Sequence, residues 1–243
     1  TKVSVYVLLR FDFLVFQQNL VAHDVQFSTM FVPLAVLAIL IPSVSALFEQ
    51  NVKRLLAYSS IAQMGYIVLG ASLVSVTGLV ASLVHMFAHA LAKGALFLAV
   101  AGIALRISDL HLADIGGVGR QMPWTTAALV LAGASLVGIP GTAGFVSKWL
   151  LLQAAFDQGW LGLVAVVVVV LSSLAAVYYV WRIIEQAYFG TPAEGFTEGE
   201  APWPLLAGLW LVAIANIYFG LVPELPVTLA ETAASNLLGL VPQ

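Results

Sequence analysis

The chain has 243 residues, of which 61% are hydrophobic and only 9% are charged. Soluble domains are about a quarter charged, so this composition excludes an ordinary soluble domain and predicts an all-α polytopic membrane protein. The net charge is −3, and the nine Lys and Arg residues form no basic patch, which argues against nucleic acid as a partner. The absence of cysteine excludes disulfides, thiolate metal sites and cysteine nucleophiles.

Seven apolar stretches follow one another along the chain, and each is long enough to form a membrane helix, which needs about 20 residues. We predict spans at about 1–18, 28–48, 55–75, 77–105, 122–157, 160–189 and 203–222. The fifth stretch is too long for one plain span, so we expect it to be broken. The moderately apolar tail 223–243 contains three prolines, and we expect it to lie at the membrane interface. Because the chain starts without Met and enters an apolar stretch at once, we expect a truncated N-terminus.

Basic residues fall in or beside every second predicted loop. They are Lys53 and Arg54 in loop 49–54, Arg106 and Arg120 in loop 106–121, and Arg182 before loop 190–202. The positive-inside rule therefore places these three loops in the cytoplasm and the C-terminus outside. We expect a multi-pass protein of a bacterial cytoplasmic membrane. Arg182 lies three residues before Glu185 on one predicted helix, so we expect these two side chains to pair locally.

The fourth predicted span carries three titratable side chains at helical spacing. His85, His89 and Lys93 lie at i, i+4 and i+8, which puts them on one helix face over about 12 Å. Charged groups inside a membrane are costly and usually mark ion pathways, so this stripe predicts a proton relay. Two alternatives are weaker. A lone histidine can simply be satisfied by a backbone carbonyl, and two histidines at this spacing can bind zinc, although no third ligand is evident.

The fifth predicted span contains the stretch "GIPGTAGFVSKW", which combines helix breakers with a lysine. Pro140 removes a backbone donor, and Gly138, Gly141 and Gly144 permit bending and close approach. Broken helices at membrane depth line cavities and mark transport sites. We therefore predict that Lys148, four residues after Gly144, is a further relay residue. A lysine that only extends to the interface is the weaker alternative.

Five segments resemble one known family. They are "TKVSVYVLLR" (1–10), "NVKRLLAYSSIAQMGYIVLG" (51–70), "HMFAHALAKGALFLAVAGI" (85–103), "LHLADIGGVGRQMPWTTAAL" (110–129) and "GIPGTAGFVSKW" (138–149). Together and in this order they resemble the antiporter-like membrane subunits of respiratory complex I and of Mrp-type multisubunit cation/proton antiporters. The resemblance covers residues 1–190 well and the remainder loosely.

The resemblance implies a fold of about fourteen spans in two inverted repeats, each repeat with a broken helix. This chain would hold the second half, spans eight to fourteen. The resemblance also makes Lys2 the central lysine that links the first half to the relay of His85, His89 and Lys93, with Lys148 as the terminal lysine. The first broken helix and its acidic partner would lie in sequence before Thr1.

The implied function is proton translocation within a multisubunit monovalent cation (sodium or potassium)/proton antiporter. The alternative is an antiporter-like subunit of complex I or of a membrane-bound hydrogenase, and a weaker one is a scaffold or an unrelated broken-helix transporter. In either main interpretation the partners are other membrane subunits, protons and the lipid bilayer. We expect no cofactor, no metal and no redox chemistry in this chain, which would be a transporter subunit and not itself an enzyme.

Overall fold

The structure, a computed structural model, describes residues 2–15, 20–107, 110–191 and 199–238, with side chains described for 3–11 and from Met30 onward. The helices in these ranges are α1 (Lys2–Val15), α2 (Leu20–Phe48), α3 (Val52–Ser72), α4 (Val76–Ala104), α5 (Val118–Gln121), α6 (Pro123–Val137), α7 (Ala143–Phe156), α8 (Gly159–Phe189), α9 (Trp203–Leu221) and α10 (Glu224–Leu237). The predicted all-α class is confirmed.

Five helices within the described ranges are long and apolar enough to span a membrane, namely α2 from Met30 onward, α3, α4, α8 and α9. The shorter apolar helices α6 and α7 together occupy the predicted fifth stretch, and the chain between them interrupts the helix at residues 138–142. The α1 and α10 helices have 14 residues each. The number of crossings and the inverted repeat stay predictions.

Two helices begin earlier than the hydropathy pattern predicts. The α3 helix begins at Val52 instead of 55, because the Asn51 side chain accepts hydrogen bonds from the backbone amides of Lys53 (3.1 Å) and Arg54 (3.3 Å) and so caps the helix. Lys53 and Arg54 therefore lie in the first helical turn and not in the loop before it. The α2 helix begins at Leu20 instead of 28, because the polar residues of segment 23–26 interrupt the apolar pattern but not the helix.

The loops that carry the basic residues meet on one face of the bundle. The backbone of Leu112 donates to Gln50 (2.8 Å) and that of Val52 donates to Leu110 (2.9 Å), which joins the α2–α3 loop to the loop after α4. Arg106 in turn donates to the Glu200 carbonyl ahead of α9. All three predicted cytoplasmic loops therefore share one side of the molecule.

The predicted Arg182–Glu185 pair is wrong. The Arg182 guanidinium donates to the Leu47 carbonyl (2.6 Å) and to the Gln50 side chain (3.0 Å), so it ties α8 to the α2–α3 loop. In that loop the Asn51 and Gln50 amides donate to the Glu49 carboxylate, and these hydrogen bonds hold the pKa of Glu49 below its ordinary value. The spacing in the sequence suggested Glu185 as the partner of Arg182. The Arg182 guanidinium instead donates to a backbone carbonyl that lacks a helical partner at the end of α2.

The α4 helix lies at the centre of the described bundle. It packs against α3, α6, α7, α9 and α10. Its buried face is rich in small residues, including Ala88, Ala92, Ala95 and Ala99, which are at most 2% exposed. Small side chains let membrane helices approach closely, so five helices can surround one. This position buries His85, His89 and Lys93 of α4.

Candidate functional site

Four of the predicted relay residues are buried together in the interior of the bundle. His85, His89 and Lys93 are 2%, 4% and 3% exposed, and they share the buried face of α4 as their spacing predicts. Lys148 of α7 is 6% exposed and approaches the same region from the broken helix. Ionisable side chains buried at this depth need hydrogen-bond partners, and the partners define the chemistry of the site.

His85 lies between two polar side chains from neighbouring helices. Its Nε2 atom is 2.8 Å from the amide oxygen of Gln63 on α3, and its Nδ1 atom is 2.8 Å from the hydroxyl of Ser147 on α7. The Ser147 hydroxyl also lies 3.0 Å from the Gly144 carbonyl. Because Gln63 presents an acceptor, Nε2 carries a proton.

This arrangement satisfies His85 in both of its protonation states. In the neutral ring, Nε2–H donates to Gln63 and the Ser147 hydroxyl donates to Nδ1. In the imidazolium, Nδ1–H donates to the Ser147 oxygen, whose own proton turns to the Gly144 carbonyl. A rotation of one hydroxyl therefore accompanies gain or loss of the proton, and no buried polar atom is left unsatisfied in either state.

His89 continues the stripe towards Lys93. The His85 and His89 rings are stacked nearly parallel, with centroids 6.3 Å apart and an angle of 10° between planes. The Tyr66 ring covers the other side of His85 at 5.3 Å. A water molecule is small enough to bridge two rings at this separation, so the distance is compatible with a water-mediated contact between them.

Lys93 reaches across to α3. Its ammonium donates to the Leu56 carbonyl at 2.8 Å and to the Ser59 hydroxyl. The Ser59 hydroxyl also interacts with Tyr179 of α8. These two partners, a backbone carbonyl and a hydroxyl, are both neutral acceptors that stabilise the ammonium by their dipoles.

Lys148 bonds back onto the end of the preceding half-helix. Its ammonium donates to the carbonyls of Leu136 (3.0 Å) and Val137 (2.9 Å) and to the Ser173 hydroxyl of α8 (3.0 Å). Each of the three ammonium protons thus has an acceptor. The two carbonyls belong to the C-terminal end of α6, which carries the negative end of the helix dipole and so favours a cation there.

The broken helix creates the space that Lys148 occupies. Gly138 and Gly141 have φ values of +93° and +88°, in the left-handed region that favours glycine. The α7 helix restarts after Thr142, whose side chain accepts from the Phe145 amide. A cavity of about 230 Å³ lies beside Lys148, lined among others by Gly138 and Ser173. Its volume is enough for several water molecules.

Gly144 sets the contact between the two half-helices. A Cβ atom built on Gly144 would lie 1.9 Å from the Ser135 carbonyl oxygen of α6, which is far inside contact distance. The Gly144 amide donates to the Ser135 hydroxyl (3.1 Å). This close approach holds α7 so that Ser147 meets His85 and Lys148 meets the end of α6.

The structure thus brings together His85, His89, Lys93 and Lys148, and it places Gly138, Pro140, Gly141 and Gly144 in or beside the interruption. Lys2 begins α1, and its side chain lies outside the described residues. The sequence interpretation missed Ser59, Gln63, Ser147 and Ser173. A signal for two of them exists, because Ser59, Gln63 and Tyr66 stand at i, i+4 and i+7 and form a polar stripe in an apolar span.

The surroundings of His85 do not support the alternative in which two histidines of α4 bind zinc. Both ring nitrogens of His85 are engaged by Gln63 and Ser147. In the part of the chain that the structure describes, no three His, Cys, Asp or Glu side chains cluster as metal ligands do.

Comparison with known proteins gives a family and several relatives. Residues 1–175 match the family model described as "NADH:quinone oxidoreductase/Mrp antiporter, TM". The chain is 39% identical over 207 residues to "NADH-quinone oxidoreductase subunit N" of Desulforudis audaxviator, covering 84% of this chain and 40% of that protein. It is 35% identical over 239 residues to "F(420)H(2) dehydrogenase subunit N" of Methanosarcina mazei, covering 93% of this chain and 47% of that protein.

A solved structure shares the fold. A chain of the Mrp complex from Dietzia sp. DQ12-45-1b superimposes with a TM-score of 0.84 at 24% identity, covering 98% of this chain and 51% of that chain. At this identity the likeness shows the fold alone. The chain spans less than half the length of the two curated relatives.

Proposed function

Because the chain belongs to the NADH:quinone oxidoreductase/Mrp antiporter transmembrane family, we propose that it is part of a proton-translocating membrane subunit of a redox-driven respiratory complex. The observation that carries the proposal is the buried row of Lys93, His89, His85 and Lys148, which crosses from α4 to α7 inside the bundle. Titratable groups are too costly at this depth to be retained for packing alone.

We assign the residues of this row successive roles in proton transfer. Lys93 is the entry station on α4, His85 and His89 are intermediate carriers, and Lys148 is the terminal station beside the broken helix. Lys2, at the start of α1, links the row to the other repeat of the fold that the resemblance implies. A proton arriving at one station raises the cost of a charge at the next, because Coulomb interactions are strong where water is scarce. Protonation of one residue in the row therefore promotes the release of a proton from the neighbouring residue.

The relatives favour a redox complex as the assembly to which the chain belongs. The sequence resemblance favoured an Mrp-type sodium or potassium/proton antiporter, with a redox complex as the alternative. Both relatives described above are named as subunits of oxidoreductases, at 39% and 35% identity, and we adopt the redox-linked alternative on that support. The antiporter is kept as the second candidate, because the description of the matching family covers Mrp antiporters as well as quinone oxidoreductases. In neither case does the chain itself contribute a redox centre.

The driving force of transport separates these two candidates. Everted membrane vesicles that contain the intact complex should acidify when a reduced electron donor is supplied, and the acidification should not require sodium or potassium. Acidification that depends on a sodium or potassium gradient and ignores the electron donor would favour the antiporter. The absence of proton movement under both conditions would overturn the proposed function itself.

A further inference from the structure

Tyr66, on α3, is a fully buried side chain that the row of proton carriers does not include. Its hydroxyl donates to the Val169 carbonyl at 3.2 Å, and the hydroxyls of Ser172 and Ser173 are further hydrogen-bond partners of the phenol oxygen. Ser173 also accepts from the Lys148 ammonium at 3.0 Å. The Tyr66 hydroxyl and the Lys148 ammonium therefore meet at one serine.

The same three types of side chain meet at Lys93. The Lys93 ammonium donates to the Ser59 hydroxyl, and Ser59 is a hydrogen-bond partner of Tyr179, which is 2% exposed. Here the serine belongs to α3 and the tyrosine to α8, whereas at Lys148 the serine belongs to α8 and the tyrosine to α3. Each of these two lysines thus has a serine from one helix and a tyrosine from the other.

One register of α3 against α8 produces both arrangements. Ser59 pairs with Tyr179, and Tyr66 pairs with Ser172. The residue numbers of the two pairs have the same sum, so the two helices run antiparallel, and the pairs are separated by about two helical turns. The interface therefore repeats one pair of residue types, once near each lysine.

A serine between a lysine and a tyrosine can serve the lysine in both of its charge states. The Lys148 ammonium donates its three protons to the Leu136 carbonyl, the Val137 carbonyl and the Ser173 oxygen. The Ser173 proton is then free to point to the Tyr66 oxygen. The neutral amine keeps two protons for the two carbonyls, and its lone pair accepts from the Ser173 hydroxyl after that hydroxyl rotates.

We propose that Tyr66 and Tyr179 are positioning residues, each of which holds a serine in the orientation that the charged form of its lysine requires. The inference rests on the proposed function and adds a tyrosine behind the lysine at each end of the row. The Tyr66 ring also faces the Lys148 ammonium, with Nζ 5.2 Å from the ring centroid, a distance at which an aromatic ring attracts a cation. The hydroxyl and the ring of Tyr66 thus both favour the charged form of Lys148.

The groups that face Lys148 come from five helices. Tyr66 of α3 and His85 of α4 are the ionisable side chains that interact with it among the described residues. The α6 helix presents two carbonyls, α8 presents the Ser173 hydroxyl, and the backbone at Gly220 of α9 packs against the interruption. Tyr66→Phe keeps the ring and leaves all of these groups in place, so a change in pH dependence can be assigned to the hydroxyl.

The test measures the pH dependence of proton translocation by the intact complex. Tyr66→Phe should shift the alkaline limb of the rate profile by about half to one pH unit towards lower pH, the equivalent of one hydrogen bond. Tyr179→Phe should shift it in the same direction through Lys93. Tyr58→Phe is the matched control, because this tyrosine of α3 lines a groove against α2 that also contains Pro42. Its profile should equal that of the parent.

A double variant separates positioning from packing. If Tyr66 acts through Ser173, the Tyr66 hydroxyl contributes nothing once the Ser173 hydroxyl is gone. Ser173→Ala should therefore shift the profile by itself, and the addition of Tyr66→Phe should shift it no further. A tyrosine that only fills space would not show this dependence on Ser173.

Two results would overturn the inference while Lys148→Ala still abolishes translocation and the proposed function stands. One is a parent-like profile of either Tyr66→Phe or Tyr179→Phe, and the other is an additive shift in the double variant. If Tyr66→Phe does not assemble, a high-resolution cryo-EM map of the parent complex decides. A Tyr66 oxygen beyond hydrogen-bond distance of the Ser173 hydroxyl in that map would also overturn the inference. If Lys148→Ala translocates protons at the parent rate, the proposed function fails irrespective of the tyrosines.

Discussion

Neutral hydrogen-bond acceptors hold the ammonium groups of Lys93 and Lys148 in the interior of the bundle. Lys93 uses a carbonyl and a hydroxyl of α3, and Lys148 uses two carbonyls of α6 and a hydroxyl of α8. A carboxylate would hold the proton in a tight ion pair, whereas neutral dipoles stabilise the charge without neutralising it. The residue chemistry thus suits stations that gain and lose protons.

At the residue scale, Gln63→Leu tests the partner of His85. The substitution leaves Nε2 without its acceptor in a buried site, so we expect a loss of about 1–3 kcal/mol in stability and slower proton translocation. The thermal midpoint of the purified complex and the rate of vesicle acidification measure the two effects. Ser45→Ala is the matched control, because the Ser45 hydroxyl bonds only to the Ile41 carbonyl of its own exposed helix face. If Gln63→Leu and Ser45→Ala have the same thermal midpoint and the same acidification rate, the hydrogen bond from His85 to Gln63 contributes to neither stability nor proton translocation.

At the scale of elements, the contact between α6 and α7 decides where Lys148 and Ser147 stand. The two half-helices touch where Gly144 meets the Ser135 carbonyl, and no side chain fits between them. A displacement of α7 there would separate Ser147 from His85 and Lys148 from its carbonyls at the same time. The relay geometry therefore depends on a residue that carries no titratable group.

Gly144→Ala tests this dependence. The added methyl group forces the half-helices apart, and overpacking of this kind costs about 1–3 kcal/mol. We expect a lower thermal midpoint and impaired translocation in the same vesicle assay. Gly208→Ala on α9 is the control, because a Cβ atom there meets nothing within 4 Å. If Gly144→Ala matches Gly208→Ala in both measurements, the close contact does not position the relay.

The sequence predicted those features that depend on one helix at a time. The spacing of His85, His89 and Lys93 sets a common face without any knowledge of neighbours, and the Gly138–Gly141 cluster breaks a helix by local chemistry. The contacts of His85 with Gln63 and Ser147 depend on how α3 and α7 pack against α4, which no periodicity encodes. Arg182 shows the same limit, since its true acceptors lie about 130 positions away in the chain.

At the scale of the whole molecule, the three basic loops share one face, and this agrees with a single orientation in the membrane. The turn at 157–158 connects α7 to α8. In the predicted topology it lies on the side of the membrane opposite to the three basic loops. The 243 residues contain no cysteine, so a single introduced thiol reports its own side of the membrane.

Thiol labelling of intact cells tests this orientation. A membrane-impermeant maleimide should modify Gln158→Cys and should not modify Ala113→Cys unless the cells are opened. Both positions are exposed in the structure, so burial does not confuse the comparison. Labelling of Ala113→Cys in intact cells would reverse the predicted orientation and place the C-terminus inside.

The central claim is that protons move along the buried row that ends at Lys148. The measurement that tests it most directly is proton translocation by vesicles that contain the complex with Lys148→Ala, compared with Lys53→Ala at an exposed position in the first turn of α3. Removal of a station in the path should lower translocation at least about tenfold with assembly intact, in keeping with the size of proton-transfer effects in enzymes. Lys53→Ala should leave it unchanged. Translocation by the Lys148→Ala complex at the parent rate would contradict the account.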